Sequence, residues 1–274
     1  MREIKPLKII SIIKPAGFGG TKPIIVRAED EKLYVLKTRE DGTNPKDLGV
    51  FNETLAYLLH DEMGFCISPQ NVCYLYIDDD VVDIVFDAYT QNIIEKESYE
   101  YIKDSKGFNV GVEYIEDAME ITNDTINKNF VKDTIRLDNY ILNCDRVEGA
   151  NSNILQDKKD RRKYYAIDYG NALADAILYE KIVNGEDISE QIFCNLPKSS
   201  GRYIFKNSDE QMNYKLTAQS IDEFTQVLLN LIDTMPPDWE PLNYKEMIAN
   251  AIAKRIKSRK IFDTADFIKC ECLY

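Results

Sequence analysis

The apolar pattern of this chain changes character once, near residues 86–89, and that change constrains the fold more than any other feature. Before it, β-branched and aromatic runs at 9–13, 23–27 and 33–38 are separated by turn residues, which predicts an antiparallel meander. After it, longer helical periodicities dominate. The chain is therefore predicted to be α+β, with an N-terminal lobe over 1–88 and a C-terminal lobe over 89–274. Residues 47–64 place Val50, Phe51, Leu55, Leu58 and Leu59 at helical spacing, with Asp47 at the start and Gly64 at the stop, so one helix belongs to the first lobe. Residues 72–77 and 81–86 flank Asp78, Asp79 and Asp80, which predicts a hairpin with an acidic tip.

Farther along, residues 129–143 predict a helix, and residues 154–155 and 164–167 predict short strands around a polar turn. Residues 218–233 and 244–257 predict amphipathic helices separated by Pro236 and Pro237. The basic cluster Lys254, Arg255, Lys257, Arg259 and Lys260 reads as a solvated face.

Charge narrows the function. With 34 Lys and Arg against 47 Asp and Glu, the net charge is −13. Such a field repels phosphates, so neither nucleic-acid binding nor attachment to an anionic membrane is expected, and a phosphate ligand needs a dedicated basic site. The longest N-terminal apolar run, at 9–13, is too short for a signal peptide, and no run approaches a membrane span. Six cysteines without CxxC pairing point to free thiols in a cytoplasmic protein; Cys270 and Cys272 alone do not make a zinc site.

Four features occur in a suggestive order. Gly17, Gly19 and Gly20, with Thr21 and Lys22, form a loop between two predicted strands. Such a loop lets backbone N–H groups approach a phosphate; by itself it reads equally as a flexible hairpin turn. Lys37 ends the next strand on the face of apolar Val35, where an amine requires an anion. Glu53 lies on the 47–64 helix with Val50 and Tyr57 on one stripe, turned partly toward the core, and Lys37 is its candidate partner. Finally, Asp145, a downstream asparagine and Asp168 before Tyr169-Gly170 supply what phosphoryl transfer needs. These are a proton acceptor for the attacking hydroxyl and oxygen ligands for Mg2+.

The series Gly19-Gly20-Thr21-Lys22, Tyr34-Val35-Leu36-Lys37, Asn52-Glu53, Asn143-Cys144-Asp145-Arg146 with Asn151-Ser152-Asn153, and Ile167-Asp168-Tyr169-Gly170 resembles the HipA-like kinases. Pro237-Asp238-Trp239 is similar to an element of the smaller members. The resemblance implies a two-lobed protein-kinase-like fold with a small antiparallel β-rich N-lobe, a mostly helical C-lobe and ATP in the cleft. It implies that Gly17, Gly19, Gly20, Thr21, Lys37 and Glu53 serve the nucleotide. Asp145 would be the catalytic base, and Asp168 with Asn151 or Asn153 would hold Mg2+. Asn151 follows Asp145 by six positions and Asn153 by eight, so both stay open. The expected activity is Ser/Thr protein phosphorylation, including autophosphorylation, on a protein substrate, with an antitoxin or regulatory partner as a further expectation. Alternatives are a small-molecule or lipid kinase, or a nucleotide-binding pseudokinase that acts as an interaction module.

Overall fold

The computed structural model of the 274-residue chain describes residues 4–17, 22–65, 71–121, 128–143, 145–146, 153–188 and 221–257. Strands β1 (Pro6–Pro15), β2 (Ile24–Ala28), β3 (Leu33–Lys37), β4 (Val72–Ile77) and β5 (Gly107–Glu113) close into a barrel in the order β1-β2-β3-β5-β4. Closure leaves no strand edge to be protected. The alternation of Ile24, Val26 and Ala28 on β2, Tyr34 and Leu36 on β3, and Leu75 and Ile77 on β4 supplies the buried residues of its core.

The barrel departs from the sequence expectation in two ways. All neighbouring strands are antiparallel except β1 and β4, which run parallel over residues 6–8 and 74–76. A parallel pair needs a long crossover, and the excursion through β2, β3 and helix α1 (Leu48–Glu62) provides it. Second, the boundary expected between residues 88 and 89 falls inside helix α2 (Asp79–Thr90), and the barrel takes its fifth strand from beyond it.

Residues 81–86 are therefore helical, not the second arm of a hairpin. Asp78 is the N-cap and its carboxylate accepts a hydrogen bond from the Val81 N–H at 3.0 Å, with Asp79 and Asp80 in the positive first turn. Val81, Val85 and Ala88 then form the buried stripe of α2, which packs with α3 (Lys96–Asp104) beside the barrel.

Helix α1 is buried on every side from Leu48 to His60. Such a helix has no solvent face because it lies between two layers. It packs against β5 and against helices α4 (Lys128–Ile141), α5 (Ala172–Asp175) and α7 (Ile221–Ile232). Strands β6 (Ala118–Glu120), β7 (Ile154–Asp157) and β8 (Tyr164–Ala166) form a small antiparallel sheet, followed by α5 and α6 (Ile177–Val183). After α7, a 3-10 turn at Glu240–Tyr244 leads into α8 (Lys245–Lys257). Arg255 is fully buried, so the basic cluster is not a uniformly solvated face. At helical spacing, position 255 joins the stripe of Ile248 and Ile252. Arg259, Lys260, Cys270 and Cys272 lie outside the described residues. Among those described, no helix is long and apolar enough to cross a membrane.

Candidate active site

A strand end, the buried helix α1 and a hairpin converge on one location. Lys37 ends β3, hydrogen-bonded in register with Val110 of β5. Asn153 and Asp168 flank the β7–β8 hairpin. Its register, Ile154 opposite Ala166, brings these flanks together, with the Ile167 N–H donating to the Asn153 carbonyl at 2.9 Å. Arg146 secures the segment that carries Asp145. It is buried, bonds Asp138 of α4 through Nε at 2.7 Å and Nη2 at 3.2 Å, and donates from Nη1 to the Asn153 carbonyl at 2.6 Å. Its guanidinium lies 5.3 Å from the Tyr169 ring centroid.

Four of the residues expected from sequence meet here. Lys37 Nζ donates to Asp168 Oδ1 at 2.6 Å, with the side chains 18% and 36% exposed. Asn153 Nδ2 donates to Asp145 Oδ2 at 3.2 Å and to the Asp145 carbonyl at 3.3 Å. Gly17 is described and has φ 106°, in the region that favours glycine. Gly19, Gly20, Thr21 and Asn151 lie outside the described residues.

Glu53 departs from its expected role, because the ion pair of Lys37 is with Asp168. Helix α1 packs against the segment after Asp168, and its side chains meet that backbone first. Glu53 Oε2 accepts from the Tyr169 N–H at 2.5 Å, while Asn52 Nδ2 donates to the carbonyls of Gly170 at 2.8 Å and Ala172 at 3.1 Å. These bonds brace a strained position, since Asp168 has φ 63°, a left-handed conformation that costs a non-glycine residue on the order of 1–2 kcal/mol. Asp47, expected to cap α1, stands at its N-cap with φ 63° but makes no side-chain cap.

The charges are unevenly balanced. Burial opposes the ammonium of Lys37, but Asp168 and then Glu53 outweigh it and hold it protonated above its ordinary range. Burial would raise Asp168, yet Lys37 overrides it and holds the carboxyl below its ordinary value. Glu53 is pushed up to about 7 by burial, with Lys37 opposing and Asp168 reinforcing. Its Oε1 is buried without a hydrogen-bond partner among the described residues. Asp145 is raised by burial and by the negative charge of Asp168, against the amides of Asn171 and Asn153.

This donor set fits a divalent cation shared with a phosphate ligand. Asn153 turns its Nδ2 toward Asp145, which leaves Oδ1 as the amide's atom for a cation. Among the described residues, no group of three or more His, Cys, Asp or Glu could enclose a metal alone. A hard divalent cation that retains water could take oxygens from phosphates alongside one or two protein ligands.

Sequence reading missed Asn44, Asn52, Asp138 and Asn171 as supporting residues, although Asn52 directly precedes Glu53. Asn44 Nδ2 donates to Asn171 Oδ1 at 3.4 Å across 127 positions, a separation that leaves no local signal.

A family profile described as HipA-like kinase matches residues 9–267 of this chain. Comparison with curated proteins finds no match. Among solved structures, the Helicobacter pylori proinflammatory kinase CtkA is 14% identical, covering 94% of this chain and 95% of that chain at a TM-score of 0.48. The Golgi casein kinase, in a crystal structure with Mn/ADP bound, is 14% identical, covering 98% of this chain and 75% of that one at a TM-score of 0.44.

Proposed function

Because the chain belongs to the HipA-like kinase family and is a phosphotransferase, we propose that it uses ATP and Mg2+ to phosphorylate Ser or Thr hydroxyls of a protein, itself included. The observation that carries this reading is the meeting of Lys37, Asp168, Asn153 and Asp145 at one site. Lys37 supplies the cation for the nucleotide phosphates. Asp168 and Asn153 supply oxygens for the metal, which when bound neutralises phosphate charge as it develops. Asp145 accepts the proton of the acceptor hydroxyl as the new O–P bond forms and the bond to the ADP oxygen breaks. Two amides hold its carboxylate in orientation.

The ion pair at the centre gives loading a like-for-like character. Lys37 would take phosphate oxygens in place of the Asp168 carboxylate, which would be left to hold the metal, so each partly buried charge would keep an opposite partner. Transfer of label from γ-labelled ATP to the protein and to added protein acceptors tests the reading. Asp145→Ala is expected to lose about 10²–10⁴-fold of the rate. Equal incorporation by wild type and variant would remove Asp145 from this role, and labelling of small hydroxyl compounds in place of protein would move the acceptor to another class.

A further inference from the structure

A second buried cluster lies just beyond the strand end that carries Lys37 and is used by nothing in the scheme above. Arg39 is 9% exposed. Its Nε and Nη2 bond the two carboxylate oxygens of Asp47 at 2.5 and 3.1 Å, and its Nη1 bonds Asp238 Oδ2 at 2.6 Å and the Lys106 carbonyl at 3.1 Å. Nη2 also reaches the Asp238 carbonyl at 3.3 Å, and Asp47 Oδ2 accepts from the Glu240 N–H at 3.0 Å. The next residue, Trp239, is 1% exposed, donates from Nε1 to the Phe108 carbonyl at 3.0 Å and packs edge-on against Tyr74 at 5.8 Å. Gly107 at φ 105° admits this arrangement, because a Cβ there would stand 2.6 Å from Arg39 Nη1.

The segment 238–240 therefore grips the two ends of the loop between Lys37 and α1. Arg39 is two residues beyond Lys37, about 7 Å along an extended chain. Asp47 directly precedes α1 and its residues Asn52 and Glu53. We propose that Asp238 and Trp239 are positioning residues of the kinase site, setting the placement of Lys37 and of the α1 clamp on Asp168 through Arg39 and Asp47. The inference rests on the kinase reading and adds to it a control point in the chain far from the reacting atoms.

The Asp238 side chain is 51% exposed, so its replacement is compatible with folding. Asp238→Asn is expected to lower kcat/KM for ATP about tenfold, the scale of a small misplacement, while the melting midpoint stays near wild type. Trp239→Phe, which keeps the ring and loses the Nε1 donor, is expected to act in the same direction with a smaller loss. In full-length protein without nucleotide, amide hydrogen exchange at Leu48 to Glu53 should quicken in Asp238→Asn and remain unchanged in α8. Arg39→Gln with Asp238→Asn together should be no worse than Arg39→Gln alone, because both break one chain of contacts. Multiplicative losses, or unchanged exchange at Leu48 to Glu53, would overturn the proposal. A wild type that transfers no phosphate would overturn the kinase reading, and the exchange rates would still decide whether the clamp exists.

Discussion

Lys37 and Arg39 stand two residues apart, and the regions around them are opposite in how completely their charges are satisfied. Arg39 has two carboxylates and two backbone carbonyls arranged about its guanidinium, and Asp47 takes a further backbone donor from Glu240. Lys37 has one ion pair, yet it lies in the field of Asp168, Glu53 and Asp41, and Asp145 senses Asp168 nearby. Arg146, the other cation of that region, bonds Asp138. Glu53 Oε1 and Asn52 Oδ1 are buried with no hydrogen-bond partner among the described residues. The Arg39 region is thus closed, whereas the Lys37 region holds more anionic charge than its ammonium balances. An added divalent cation relieves that imbalance, while phosphates find the ammonium already in place.

This contrast predicts that the largest loss of activity and the largest loss of stability fall in different regions. The largest effect is expected for Asp168→Asn, with phosphotransfer falling about 10²–10³-fold or more as preorganised charge is lost. Its melting midpoint should move much less than that of any Arg39 variant, as parallel rate assays and thermal scans would reveal. Arg39→Ala is expected to have the largest effect on stability, beyond the activity loss that breaking its contact with Asp238 brings. It leaves Asp47, 1% exposed, without its cation, at a cost of about 3–5 kcal/mol, or roughly ten degrees in melting midpoint for a chain of this size. An Arg39→Ala protein that melts with wild type would show that this region is not closed at all.

Glu53 supplies an intermediate test through pH. Its folded value of about 7 lies above its ordinary value near 4.5. Between the two, the folded chain retains a proton that the unfolded chain releases, so this group's contribution to stability falls as pH rises across that window. Glu53→Gln cannot ionise and can still accept from the Tyr169 N–H. Its stability relative to wild type should therefore improve from pH 5 to pH 8, by about 1–3 kcal/mol in denaturant titrations. A difference constant with pH would mean that Glu53 is ionised at no cost and that the region is better balanced than its geometry indicates.

Local pattern accounts for what the sequence made legible. The strands at 9–13, 23–27 and 33–38, the helix at 47–64 and the hairpin after Asn153 are encoded in side-chain periodicity, and the structure has them. Barrel closure by β5 and the parallel β1–β4 pairing join segments far apart in the chain, which periodicity does not record. The run Asp78-Asp79-Asp80 misled because a turn and a helix N-cap favour the same residues. In the site, the ordered motifs pointed to Lys37, Asp145 and Asp168, but the group that Glu53 binds is the backbone N–H of Tyr169, present at every non-proline position and hence without a signature. Arg39 meets Asp238 across 199 positions.

The smallest expected effect isolates what makes the Arg39 region cohesive. Lys106 contributes to it twice over: its carbonyl accepts from Arg39, while its ammonium pairs with Asp79 at 2.5 Å on the surface, the two side chains 56% and 88% exposed. If proximity to the closed network were enough, losing either contact would be felt. Solvent screens the exposed pair and offers both partners water in exchange, whereas Asp47 without Arg39 has no such alternative. Lys106→Ala removes the ion pair and leaves the carbonyl where it is. Its melting midpoint should match wild type within the scatter of repeated scans, at low and at high salt. A salt-dependent drop comparable to that of Arg39→Ala would mean that surface charge, and not burial with complete hydrogen bonding, holds this side of the molecule together.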